Sequence, residues 1–75
     1  MAYLLTELSG ISIDDNYIEF KEGDIVLVET EELVIKQGTI IGYNKRALAE
    51  SITVAYCVYE EIEIDVEDII RIEVE

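Results

Sequence analysis

Isoleucine and valine recur at every second position through much of this chain. Ile62, Ile64 and Val66 form one such run, and Ile52, Val54, Tyr56 and Val58 form another. A period of two places residues on one side of an extended strand, whereas a helix needs spacings of three and four. Sustained helical spacing is absent beyond the N-terminal segment. The alternating runs are rich in Val, Ile, Thr and Tyr, which suit the pleated surface of a sheet. The chain has no proline to interrupt a ladder. The expected class is all-β.

Seventy-five residues make one domain, near the size at which a single core is only just sufficient. Half of the residues, 51%, are hydrophobic, well above what an acidic disordered segment carries. The charge is strongly one-signed: 18 acids against five bases and no histidine, a net charge of −13. Such a chain repels itself and has little affinity for nucleic acid or anionic membrane, because phosphate contacts need Lys and Arg. The opening "MAYLLTELSG" lacks the basic start and the long apolar run of a secretory leader. No segment approaches the roughly 20 apolar residues that span a bilayer. One cysteine, Cys57, excludes an internal disulfide or a multi-cysteine zinc site. These features fit a soluble protein in a reducing, cytoplasmic setting.

Residues 1–10 form an N-terminal segment ahead of a β-region over 11–75. Leu4, Leu5 and Leu8 share a helical face that Gly10 can close, which favours a short helical turn; Tyr3 to Leu8 also reads as an edge strand. "ISI" and "YIEF" flank Asp14-Asp15-Asn16, residue types that tolerate turn geometry, and so predict a hairpin. Calcium accepts the same oxygen ligands, but a turn needs them for backbone reasons alone, and no metal site is expected. "KEGD" supplies a turn around Gly23. "IVLV" (25–28) is apolar on both faces, which marks a central strand or one covered by a partner. "ETEE" (29–32) reads as a charged loop, and "LVIKQGTIIGY" (33–43) as a strand bulged or bent at Gly38 and Gly42. "NKRALAE" (44–50) is a polar loop. "SITVAYCVY" runs as a strand whose second face carries Thr53, Ala55, Cys57 and Tyr59; a return over Glu60-Glu61, a longer loop built around a type I turn, or one long bent strand leads into "IEIDV". Ile62, Ile64 and Val66 share a face that Ile70, Ile72 and Val74 continue, while Asp68 and Ile69 break the phase. A tight or 3₁₀ turn at "VEDI" accounts for the break.

The order "GDIVLV", "GTIIGY", "ITVAYCV", "IEIDVEDIIRI" resembles the strand sequence of small SH3-like β-barrels. In these a strand, a 3₁₀ turn and a last strand close the barrel. The resemblance covers residues 20–75 and implies about five to seven short strands, with Val66 and Ile69 as inward anchors of the closing turn. It carries no active site across, because such barrels host many unrelated functions. The aromatic groove of the proline-binding members is not evident among the five tyrosines, so polyproline recognition is not expected.

Catalysis is not expected either. Without histidine there is no ordinary neutral-pH base and no Ser-His or Cys-His pair. Cys57, in an apolar strand, reads as a buried structural thiol rather than a nucleophile. No phosphate-binding, dinucleotide or EF-hand motif is present, and no cofactor is implied. What stands out is the acidic strand. With Ile62, Ile64 and Val66 inward, Glu61, Glu63 and Asp65 face outward, spaced about 6.6–6.8 Å apart. Glu73 and Glu75 add to the outward charge of the final strand. Charged faces keep small β-proteins soluble and discourage edge pairing. A rigid anionic row also suits a basic protein partner, as in small phage-encoded inhibitors that mimic nucleic acid, which are similar in size and charge. The sequence thus predicts a non-catalytic binding module acting through protein–protein contacts. The alternative is a homo-oligomeric barrel with a structural role or a small anionic ligand held near Lys45 and Arg46.

Overall fold

The computed structural model describes residues 2–5, 9–46, 49–57 and 60–75. Among them are eight strands, more than the sequence predicts: β1 (Ala2–Leu4), β2 (Gly10–Ile13), β3 (Asn16–Glu19), β4 (Ile25–Thr30), β5 (Val34–Lys45), β6 (Glu50–Cys57), β7 (Glu60–Asp65) and β8 (Ile69–Val74). A 3₁₀ turn, Val66–Asp68, joins β7 to β8. The fold is all-β, built from two antiparallel sheets, one in the order β1-β2-β3 and one in the order β7-β6-β5-β4-β8.

The first hairpin lies where Asp14 and Asp15 predict it. Ile13 pairs with Asn16, and the two aspartates between them have φ of 49° and 69°. This left-handed pair makes a two-residue turn whose twist matches the strands it joins. The N-terminal expectation is corrected at Ala2–Leu4, which is a strand rather than helix; residues 6–8 lie outside the described set. Leu4 pairs with Ile11, and both are fully buried, a burial that outweighs a single helical turn. Gly10 sits in β2 at φ 152°, opposite Glu19, where a Cβ would run into the carbonyl oxygen of Ile18.

The larger sheet begins after the turn at Gly23 (φ 97°), where the Lys21 N–H donates to Asp24 Oδ2 at 3.0 Å. β4 is an interior strand, paired with β5 on one side and β8 on the other, as its two apolar faces imply. The loop expected over 29–32 is shorter than that, because Glu29 and Thr30 belong to β4. Thr30 Oγ1 accepts from the N–H groups of Glu32 and Leu33, which ties the turn. β5 is bulged near both glycines. Val26 and Val28 face Gly38 and Ile35, while Ile40 and Gly42 face Val54 and Thr53, leaving Ile41 without an opposite residue.

β6 holds two corrections. Glu60 and Glu61 form no return: both are strand residues, with Glu60 opposite Cys57 and Glu61 opposite Ala55. That register leaves Tyr56 as an extra residue, and the bulge breaks the alternation after Val54. Tyr56 is therefore 41% exposed rather than inward, and Cys57 is an exposed free thiol rather than a buried one. Val58 and Tyr59 lie outside the described residues.

The 3₁₀ turn falls on "VEDI" as expected, with Val66 and Ile69 both buried. Beyond it the phase differs from the sequence reading. Thr30 pairs with Ile69 and Glu29 with Arg71, so Ile70 is a bulge residue, 53% exposed, and the inward positions are Ile69 and Ile72. Val74, expected inward as well, is exposed at the strand end.

β1 packs on the 3₁₀ turn and β6, and β3 packs on β8, so the small sheet covers the larger one. A core including Leu4, Ile11, Val26, Val28, Ile40, Ile52, Val54 and Val66 fills the space between them. The sheets are also stitched by polar groups: the Leu4 N–H donates to Glu50 Oε1 at 3.4 Å, and Lys45 Nζ donates to the Leu4 carbonyl at 3.0 Å. No helix among the described residues is long and apolar enough to cross a membrane.

Candidate functional site

β7 places its side chains by plain alternation. Ile62 and Ile64 sit opposite Val54 and Ile52, on the core side. Glu61, Glu63 and Asp65 sit opposite Ala55, Thr53 and Ser51, and all three carboxylates are exposed. The structure thus brings these three together on one side of one strand. Their opposite residues on β6 are small. Ser51, itself buried, donates its hydroxyl to Glu63 Oε2 at 2.7 Å and fixes the middle carboxylate.

Glu73 and Glu75 are placed differently. Glu73 lies on β8, the opposite edge strand of the sheet, and shares Arg71 with Glu29: Arg71 Nε is 3.4 Å from Glu29 Oε1, and Nη1 is 3.9 Å from Glu73 Oε1. Glu75 follows β8, its N–H donating to the Ile25 carbonyl at 2.9 Å. It borders an open apolar groove that includes Leu33, Val34, Tyr56 and Ile62.

A cleft of about 440 Å³ lies between β7, the 3₁₀ turn, the start of β8 and the β4–β5 turn. Among the described residues its lining holds six acids, Glu31, Glu32, Glu63, Asp65, Glu67 and Asp68, and no base. Four of these acids are missed by the sequence reading, which assigns Glu31 and Glu32 to a loop and Glu67 and Asp68 to a turn. The pairing of Thr30 with Ile69 carries the two acidic turns to the same end of the sheet. The apolar part of the lining is Leu33, Ile62, Ile64, Ile69 and Ile70. A concave, single-signed lining over a low-dielectric wall focuses the field and attracts cations. Among the described residues no three acid or thiol groups come together in a way that could hold a metal ion.

The two bases singled out for an anionic ligand are both exposed, at the end of β5 and just beyond it. Lys45 Nζ, besides its bond to the Leu4 carbonyl, lies 3.8 Å from Glu50 Oε2. Arg46 is exposed, and its N–H donates to the Ala49 carbonyl at 3.1 Å. Among the described tyrosines, Tyr3 and Tyr17 are on the small sheet, and Tyr43 and Tyr56 are on β5 and β6. The Tyr17 hydroxyl's hydrogen bond with Tyr3 raises its pKa above the usual 10.0. That of Tyr56 is raised by its hydrogen bond to Glu60 and by the negative charge there.

No protein-family model matches this chain, and neither a curated protein nor a solved structure does.

Proposed function

We propose that the chain is a non-catalytic acidic module that binds a basic protein surface, in the manner of a decoy occupying the nucleic-acid site of its partner. The observation that carries this reading is the continuity of charge at one corner of the fold. The outward row Glu61, Glu63 and Asp65 runs into a cleft lined by six carboxylates and no base. Acids spread only for solubility have no reason to converge on a concave site. The row is also held on a paired strand, so little ordering is left for binding to impose.

In the same reading the architecture is an SH3-like barrel, left open between β7 and β8. The meander β4-β5-β6-β7, the 3₁₀ turn and the return of β8 onto β4 support that assignment. The small sheet is an addition at its N-terminal side.

Affinity capture at low salt followed by titration of the purified partner tests the function. Binding is expected to fall at least tenfold between about 50 and 200 mM salt, as a contact replacing several phosphates does. It is expected to be lost in the triple variant Glu61→Lys, Glu63→Lys, Asp65→Lys, and to displace nucleic acid from the partner. A partner that binds the triple variant equally well leaves the acidic row a solubilising feature only.

A further inference from the structure

β7 is an edge strand. Among the described residues β6 is its one neighbour, and its other edge pairs with no strand. Four consecutive residues, Ile62 to Asp65, line the cleft, so the strand presents that edge to it rather than a single face. We propose that the cleft takes an extended basic segment of a partner protein, which adds to β7 as a further strand. This rests on the acidic-surface reading above and specifies how that surface is used.

The backbone supplies the first half of the argument. An unpaired edge offers a row of N–H and C=O groups, and an extended peptide satisfies them with main-chain hydrogen bonds. The side chains supply the second half. Residues directly opposite on neighbouring strands interact on the same face. A strand added to β7 therefore meets Glu61, Glu63 and Asp65 on its outer side, and Ile62 and Ile64 on its inner side. The segment that fits alternates Lys or Arg with Val, Ile or Leu. Glu31 and Glu32 on the β4–β5 turn form the facing wall and meet bases that project across the cleft.

Charge decides who provides the segment. No strand of this chain carries more than two bases, and the net charge is −13, so a second copy would set acid against acid. Nucleic acid is repelled on the same ground. A small polycation could neutralise the carboxylates but would leave the strand edge unpaired.

The test uses the whole chain and synthetic peptides of about eight residues, a typical strand length. One alternates Lys with Val, and an isomer groups the lysines before the valines. Two derivatives of the alternating peptide are N-methylated on one or the other set of alternate residues. The alternating peptide is expected to bind roughly tenfold more tightly than the isomer, the effect of two or so extra hydrogen bonds. It should slow hydrogen exchange at the amides of residues 62–65, and only one of the N-methylated derivatives should lose binding. Equal binding of both isomers, without protection of β7, overturns strand addition but leaves the acidic-surface reading standing. Failure of both isomers to bind at low salt overturns that reading as well. A doubled light-scattering mass with β7 protected in the absence of peptide makes a second copy the occupant and overturns the proposal.

Discussion

Gly38 shows how little space the middle of this fold leaves. It lies on β5 opposite Val26, where a Cβ would run into Val54 Cγ1 and come within 2.9 Å of Ile35 Cγ2. Two opposing effects bear on Gly38→Ala. Restricting the unfolded chain stabilises by about 0.4–1 kcal/mol, whereas overpacking a core costs about 1–3 kcal/mol. Both neighbours are buried side chains with nowhere to go, so the second effect wins. Gly38→Ala is expected to lower the urea midpoint by an amount equivalent to about 1–2 kcal/mol. Gly42→Ala is the control, since nothing lies within 4 Å of its would-be Cβ. It should be neutral or slightly stabilising. Equal midpoints for the two variants would show that Gly38 is not required for packing.

At the scale of elements, bulges set which residues are core. The 3₁₀ turn and the extra residue after it put Ile69 inside at 4% exposure and Ile70 outside at 53%. Ile69→Ala should cost about 2–5 kcal/mol, the range for emptying a buried isoleucine site. Ile70→Ala should stay within about 0.5 kcal/mol of the parent. Chemical denaturation of the pair checks the register, and a reversed order of costs would restore the simple alternation Ile70, Ile72, Val74. That alternation is what the sequence shows, and the contrast marks the limit of sequence reading here. Ile62, Ile64, the Asp14-Asp15 turn and the 3₁₀ turn were all legible because their signals are local: a period of two, or a residue type suited to left-handed backbone. The bulges at Tyr56 and Ile70 depend on how a neighbouring strand pairs, and neither is flanked by glycine. The apolar run of β6 implies a buried Cys57, whereas it is exposed. Half of the candidate site was legible in the same sense. The row on β7 follows from alternation, but the convergence of Glu31 and Glu32 with Glu67 and Asp68 follows from Thr30 meeting Ile69 across the sheet.

For the molecule as a whole, charge is the dominant imbalance, and its distribution predicts how stability responds to salt. The chain carries −13 on a body of 31 × 23 × 22 Å, so its charges lie within a few screening lengths of one another at about 0.1 M salt. Two like charges spaced as alternate strand residues repel by about 0.6 kcal/mol in water, and the screening length falls from about 30 Å at 0.01 M salt to about 3 Å at 1 M. Unfolding spreads the same charges over a much larger volume, so repulsion weighs more on the folded state. Potassium chloride should therefore raise the urea midpoint steadily between about 10 and 500 mM, most steeply at the low end where the screening length crosses the size of the domain. The cleft should contribute out of proportion to its size, because its six carboxylates share one concavity. Glu31→Gln with Asp68→Asn is expected to be more stable than the parent at 10 mM salt by about 0.5–1 kcal/mol, and indistinguishable from it at 500 mM. A parent midpoint that ignores salt would mean that the fold already disperses its charge. A variant with an advantage that persists at 500 mM would mean that the gain came from packing or hydrogen bonding at the turns, and that the cleft is not the focus of repulsion from which a basic partner would draw its binding energy.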